Sequence, residues 1–534
     1  MAGRMFGVET EYAFAALDER KRCLPPEGSV GLLWRAAASG LPHLKGHMDS
    51  RLYLQNGACM YVDCGLHPEY ATPECTNPWE AVRHVSAGER ILASLRERMV
   101  SSSAEVSEAF FLRSNVCYSS GATWGCHESY LHRADPDELS MQIIPHLVTR
   151  LVYTGAGGFD NTSSRLRFIL SPRVPHMMRA VSNESTMDRG IFHTKNEPLC
   201  RGHNRLHLLC GESLCSQTAS FLKIGATALV VAMIEGGLRP GDAVRFVDPL
   251  VAMQRFSGDV NCRAEVKGLC GEPLTALRVQ RHYLELAESN SGAPFMPDWA
   301  PAVCVAWRSI LDRLECAPGS VDRTLDWAIK HSLYSNFARE RGVDWSRMVA
   351  PEAAPDVSRE TPGEENDDPV MRRARFYRAI RRGLDQATGG LLEMEVPAWL
   401  APQAAGRCPA PGEPDAPAGG GDSRFRHEIC EIDARYGQIA SDGVFASMDS
   451  SGTLNHRVEG VGDPETAVTE PPALGRARVR GEVIRRVAAE EDRYRCSWDV
   501  IEDTKGRRLL DLGDPWIACE RWSDLAARSR PRES

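Results

Sequence analysis

Near the start of the chain stands GVETEY, with Glu9 and Glu11 two positions apart. On a strand, residues i and i+2 project to the same face, so two carboxylates placed there repel unless a cation lies between them. Hard divalent ions such as Mg2+ take that kind of oxygen ligand, although a solvated acidic strand face has the same pattern. A denser cluster follows in YVDCGLHPEYATPE, Tyr61 to Glu74. Tyr61 and Asp63 share a strand face there, and Glu69 follows a turn containing Gly65 and Pro68. A tyrosine, two carboxylates and a histidine beside a tight turn have the types for a metal and acid–base site, and equally for a polar hairpin end. In TWGCHESY, His127 and Glu128 are adjacent, so only one of them enters a given pocket from a strand. In HTKNEPLCRGHNRLHLLCGES, Arg205 and His207 share a strand face, and arginine suits bidentate phosphate or carboxylate binding. TGAGGFD, Thr154 to Asp160, lacks the Lys-Ser/Thr of a P-loop and the spacing of a dinucleotide fingerprint, and reads as a loop. Without GxSxG, HExxH or kinase signatures, any ATP must be held by a carboxylate–metal sheet.

Those side chains need strands to hold them and helices to back the strands. Arg51 to Asp63 reads as two strands around an Asn56-Gly57 turn. Pro78 to Arg98 has helical periodicity, with a proline at its start. Arg205 to Cys210 is a strand candidate, and Ser213 to Ile234 a helix ended by Gly236-Gly237. That helix is apolar nearly all round from Ile224 to Ile234, which predicts burial and is too short a run to span a bilayer. Late in the chain, EIDARYGQIASDGVF reads as a helix and turn, RARVRGEVI as a basic strand, and YRCSWDVI as a strand carrying Trp498.

The chain has 534 residues, 43% hydrophobic and 25% charged, which are ordinary globular values. A net charge of −9 argues against nucleic-acid binding by bulk positive charge. The start of the chain lacks the apolar stretch of a signal peptide, which predicts a cytoplasmic protein. The 17 cysteines form no CxxC pair and no zinc-finger spacing, so reduced thiols are expected. Texture divides the chain into a large domain over 1–350, a Pro/Ala/Gly-rich and acidic insertion over 351–428 that is mostly disordered, a return to the large domain over 429–464, and a small C-terminal domain over 465–534. Within the insertion, Met371 to Leu384 is a short arginine-rich helix candidate.

The order of these motifs resembles the Pup ligase family: GVETEY, then NGACMYVDCGLHPEYATPE, GCHESYL, NEP…RLHLLCGES, TALVVAMIE, RARVRGE and a late tryptophan. That family includes ligases that attach a small ubiquitin-like modifier to lysines and the related deamidases/depupylases. The resemblance implies an α+β fold similar to glutamine synthetase, with a curved antiparallel sheet forming a cradle, helices flanking it, and a small C-terminal domain. It implies ATP and Mg2+ as cofactors, and as partners a small disordered modifier ending in glutamate and lysine-bearing protein substrates, with neither membrane nor nucleic acid. By matching motif, it implies Asp63 as the catalytic base, Glu9, Tyr61 and Glu69 as metal contacts, and Thr72 and Trp498 as ATP contacts. Glu11, Glu128, Arg205 and His207 lie in motifs expected to face the same cradle. One departure stands out: the family pattern NGARxYxD has an arginine on ATP where this chain has Cys59. A neutral thiol cannot replace a guanidinium fork, so another arginine enters, nucleotide binds more weakly, or the chain is a non-catalytic modifier-binding homologue. By the resemblance, the short segment from Glu11 to Asn56, without the long loop of the deamidase/depupylase, favours a ligase, whereas PECTNP and AGERI look closer to the deamidase side.

Overall fold

The computed structural model describes residues 3–47, 50–63, 65–118, 121–163, 165–183, 188–193, 202–349 and 422–517. The arginine-rich candidate at Met371 to Leu384 and most of the predicted insertion lie outside the described residues.

A nine-stranded sheet organises the large domain. Its strands run in the spatial order Arg179–Ser182, Gly190–His193, Asn204–Leu208, Cys126–His132, Phe6–Glu11, Pro68–Ala71, Cys59–Val62, Arg51–Leu54 and His43–Lys45. Neighbours pair antiparallel except the first two, which are parallel, so the expected antiparallel sheet is mixed at one edge. The Phe6–Glu11 strand sits between partners from distant parts of the chain: Glu9 lies opposite both Ala71 and His127, and Glu11 opposite Glu69.

Alternation along each strand gives the sheet two unlike faces. On one, Phe6, Val8, Tyr130, Leu206 and Leu208 are buried against helices, among them Pro136–Thr149 and Gln217–Glu235. Leu52, Leu54, Met60 and Tyr70 continue that face under the helices Pro26–Gly40 and Pro78–Ser102. Asn77 caps the latter by accepting the Glu80 N–H, with Pro78 in its first turn, as the sequence predicts. Gln217–Glu235 starts from a Ser216 cap and is long and apolar enough to cross a membrane, but 89% of its apolar window is buried inside the protein, as a core helix.

On the other face, Leu44, Tyr53, Cys59 and Ala71 pack under the C-terminal unit, a three-stranded sheet (Tyr494–Cys496, Val500–Asp503, Arg508–Asp511) and the helix Arg476–Val487. The remainder of this face holds the charged residues. RARVRGEVI is therefore helix and not the expected strand. Val479, Val483 and Ile484 fall on one helical stripe, and Arg476 and Arg480, at i and i+4, both reach Glu74. Trp498 lies in the turn between the first two C-terminal strands instead of on a strand.

The hairpin at Asn56-Gly57 ties the two units together. Asn56 is buried and donates to the Tyr70 hydroxyl and the Ala467 carbonyl. Gly57 has φ of 81°, and a Cβ there would lie 2.8 Å from the Ala477 carbonyl oxygen, so the helix can approach only a glycine. The helix Asp422–Tyr436 crosses the predicted insertion boundary at 428, and its Phe425 and Ile429 are buried, so the folded body resumes by 422. In that helix, Asp433 accepts hydrogen bonds from Tyr118 and Tyr334 and pairs with Lys330.

Candidate active site

The open face gathers its charged groups by register. Arg51 lies opposite Tyr61, Tyr61 opposite Glu69, and Glu69 opposite Glu11, a single line across four strands. Glu9 continues the patch one pair along, opposite His127. His207 joins from the next strand, its ring 5.3 Å from that of His127.

Two groups of ligand atoms close to within 4.8 Å: Glu9 with His127 and His207, and Glu11 with Asp63 and His67. In the first, His127 Nδ1 is 3.8 Å from Glu9 Oε2. In the second, His67 Nδ1 lies 3.1 Å from Glu11 Oε2 and 3.7 Å from Asp63 Oδ2. His127 Nε2, 3.9 Å from Glu11 Oε1, bridges the two. Gly125 makes room for this bridge, since a Cβ there would stand 2.3 Å from His127 Nε2 and 2.8 Å from Glu11 Oε1.

Asp63 is held by its own turn. Its Oδ1 accepts the backbone N–H of Gly65 at 2.7 Å and of His67 at 2.9 Å, while Leu66 takes a left-handed φ of 56°. Oδ1 is thus committed to the backbone, while Oδ2 lies 3.7 Å from His67 Nδ1.

Four carboxylates share this small volume, and their proton affinities split. Burial raises Glu69 well above the usual carboxylate range, and the charges of Glu11, Glu9 and Asp63 push it further. Burial also raises Asp63, against the pull of His67. Burial acts the same way on Glu9, but nearby His127, His207 and Arg205 outweigh it and hold Glu9 well below its usual value. For Glu11 the hydrogen bond and charge of His67 overcome burial and lower it to about 2. Burial lowers His67, but Asp63 and Glu11 reverse the effect and leave it raised. Burial drives His207 well below its usual value, where Arg205 Nη2 donates to its Nδ1 at 3.1 Å. The Tyr61 phenol, buried beside Glu69 and Glu9, stays protonated far above neutrality.

This donor set suits a divalent cation. Glu69 Oε1 and His67 Nε2 are buried with no hydrogen-bond partner, a costly state that a bound cation or substrate group would relieve. Carboxylates supply the hard oxygen ligands that Mg2+ takes.

Of the residues expected from sequence, Glu9, Glu11, Tyr61, Asp63, Glu69, Arg205 and His207 lie together here. Glu128 does not. One residue out of phase with His127, it turns into the core, where Arg150 grips both its oxygens at 2.8 and 2.6 Å and Tyr130 donates at 2.6 Å. Thr72 is buried beside the patch, its hydroxyl accepting the Val8 N–H at 3.0 Å. Trp498 stands at the C-terminal unit, edge-on to Tyr53 at 5.5 Å, with the Arg480 guanidinium 4.7 Å over its ring. His67 and His127 stand in the sequence clusters, but the motif resemblance assigns neither of them a role. Their parity with Glu9 and Glu11 on a paired strand was the available signal, and it needed the register to be known.

The model of the Pup-ligase protein family matches residues 4–352 and 421–502. The Pup--protein ligase of Actinosynnema mirum is 33% identical over 354 residues, covering 65% of this chain and 76% of that protein. That of Paenarthrobacter aurescens is 34% identical over 355 residues, covering 64% and 76%. Among solved structures, the ligase PafA in complex with the ubiquitin-like protein Pup superposes with a TM-score of 0.71 at 21% identity, over 98% of this chain and 91% of that one. PafA in complex with ADP superposes at 0.67 and 21% identity, over 94% of each. The shared architecture is the α+β fold expected from the motif order, and the chain belongs to the Pup-ligase family.

Proposed function

We propose that this chain is an ATP-dependent ligase that joins the C-terminal glutamate of a small ubiquitin-like modifier to a lysine of a protein substrate, working in the cytoplasm with Mg2+. The observation that carries the proposal is the convergence of Glu9, Glu11, Asp63 and Glu69 on one sheet face with no lysine or arginine ion-paired to any of them among the described residues. Family membership and the nucleotide and modifier complexes of the structural relatives support it.

A carboxylate is a poor electrophile and must be activated. Its oxygen attacks the γ-phosphorus, ADP leaves, and an acyl phosphate forms. The lysine amine then attacks the acyl carbon, phosphate departs, and the isopeptide bond remains. Glu9, Glu69 and Tyr61 would hold Mg2+, which neutralises phosphate charge when bound. Thr72 and Trp498 contact the nucleotide in this scheme. Asp63 accepts a proton from the lysine ammonium at Oδ2, the oxygen its turn leaves available, and its raised pKa makes it the better base. His67, between Asp63 and Glu11, fixes the orientation of both.

The test supplies Mg-ATP, a modifier ending in glutamate and a lysine-bearing acceptor. ADP release matched by conjugate is expected. Ammonia from a glutamine-ended modifier with no conjugate would replace this reading with a deamidase, and a folded protein without Mg-ATP binding would replace it with a non-catalytic homologue.

A further inference from the structure

Arg51 begins the line of residues that ends at Glu69 and Glu11. It is half-buried, and no carboxylate among the described residues lies within ion-pair distance of it. Its guanidinium carbon lies 5.3 Å from the centre of the Tyr61 ring, and Tyr53 is its hydrogen-bonding neighbour, two neutral phenols that leave its charge uncompensated. The contrast with Arg480 is sharp: that guanidinium is spent on Glu74, on the Gly57 carbonyl at 2.6 Å and on the Trp498 carbonyl at 3.2 Å. Nor does Cys59, on the same face, supply charge, because burial pushes its thiol up to about 12 despite Arg51 and Arg480 nearby. A half-buried cation without a counterion is costly unless a ligand supplies the negative charge.

We infer that Arg51 is the phosphate-binding arginine of this site, gripping the polyphosphate tail of the nucleotide whose metal end lies at Glu69. This inference rests on the ATP-dependent reading above and assigns a residue that the motif resemblance does not. The line then reads as a polyphosphate binder, with a guanidinium at one end, a phenol between, and cation-holding carboxylates at the other. Tyr53, two residues along the Arg51 strand, touches Trp498, which places an aromatic platform beside the same arginine.

The test is calorimetric titration of the full chain with Mg-ATP and with AMP, comparing wild type with Arg51→Ala, Arg51→Met and Arg51→Lys. Arg51→Ala should weaken Mg-ATP at least about tenfold and AMP far less, as loss of a charge-assisted contact requires. Arg51→Lys should recover part of the loss. Arg51→Met keeps the buried stem and removes only the charge, so it replaces Arg51→Ala if that variant melts early. Wild-type Mg-ATP affinity in a folded Arg51→Met protein overturns the assignment and leaves the ligase reading intact. Failure of the wild type itself to bind Mg-ATP overturns both.

Discussion

Two clusters of charge lie on the same face of one sheet, and they are built in opposite ways. At the C-terminal unit, Glu74 meets Arg476 and Arg480, and every member has a partner of opposite sign. At the open end, Glu9, Glu11, Asp63 and Glu69 crowd together with only histidines among them, and a Glu69 oxygen has no partner. Burial acts on both, but Arg480 and Arg476 overcome it to lower Glu74 to about 2, while the neighbouring carboxylates add to it at Glu69. Satisfied charge holds two units together; unsatisfied charge is stored for a ligand.

The largest expected effect sharpens the contrast from the open side. Asp63→Asn should cut conjugation by about 10²–10⁴-fold while the melting temperature stays near wild type, because an asparagine oxygen still accepts the Gly65 and His67 N–H groups. A gel-based conjugation assay and a thermal scan check both halves. Glu74→Ala should do the reverse. It strands two buried guanidiniums and should cost about 3–5 kcal/mol, read as early loss of the C-terminal unit in denaturant unfolding.

The two clusters should also respond to pH with opposite signs. Glu74 has a depressed folded pKa, so its contribution is complete above the unfolded value of 4.5 and fades as pH falls towards about 2. Glu69 has a raised one, so its contribution is complete below 4.5 and is lost as pH rises through its folded value. Metal-free Glu69→Gln protein should therefore lose less stability than wild type as pH rises above 4.5, and Mg2+ should raise its melting temperature less. Equal pH slopes for the two proteins would break the comparison. The smallest effect belongs to Leu66. Leu66→Gly relieves a left-handed backbone at the Asp63 turn and should change stability by less than about 1 kcal/mol.

Much of the open cluster was legible before any coordinates. Period-2 alternation put Glu9 with Glu11, the Asn56-Gly57 turn put Tyr61 on a strand, and the turn at Gly65 and Pro68 brought Glu69 after it. Sheet order was not legible, because the Phe6–Glu11 strand pairs with segments some 60 and 120 residues away. Without that register His127 and Glu128 were interchangeable, and the one-residue difference sends the second into the core beside Arg150. RARVRGEVI misled for a related reason. Its alternating arginines mimic a strand, and only Glu74, a residue of the distant hairpin region, explains why two of them lie one helical turn apart.

The lid over Tyr53 and Cys59 has a consequence for biosynthesis. Leu44, Tyr53, Cys59 and Ala71 precede by some 400 residues the helix and strands that cover them, which begin at Arg476. At elongation rates of about 5–20 residues per second, the ribosome needs about 20–80 s to deliver that cover. Until that cover arrives, the nascent chain exposes these apolar strand residues beside the acidic cluster.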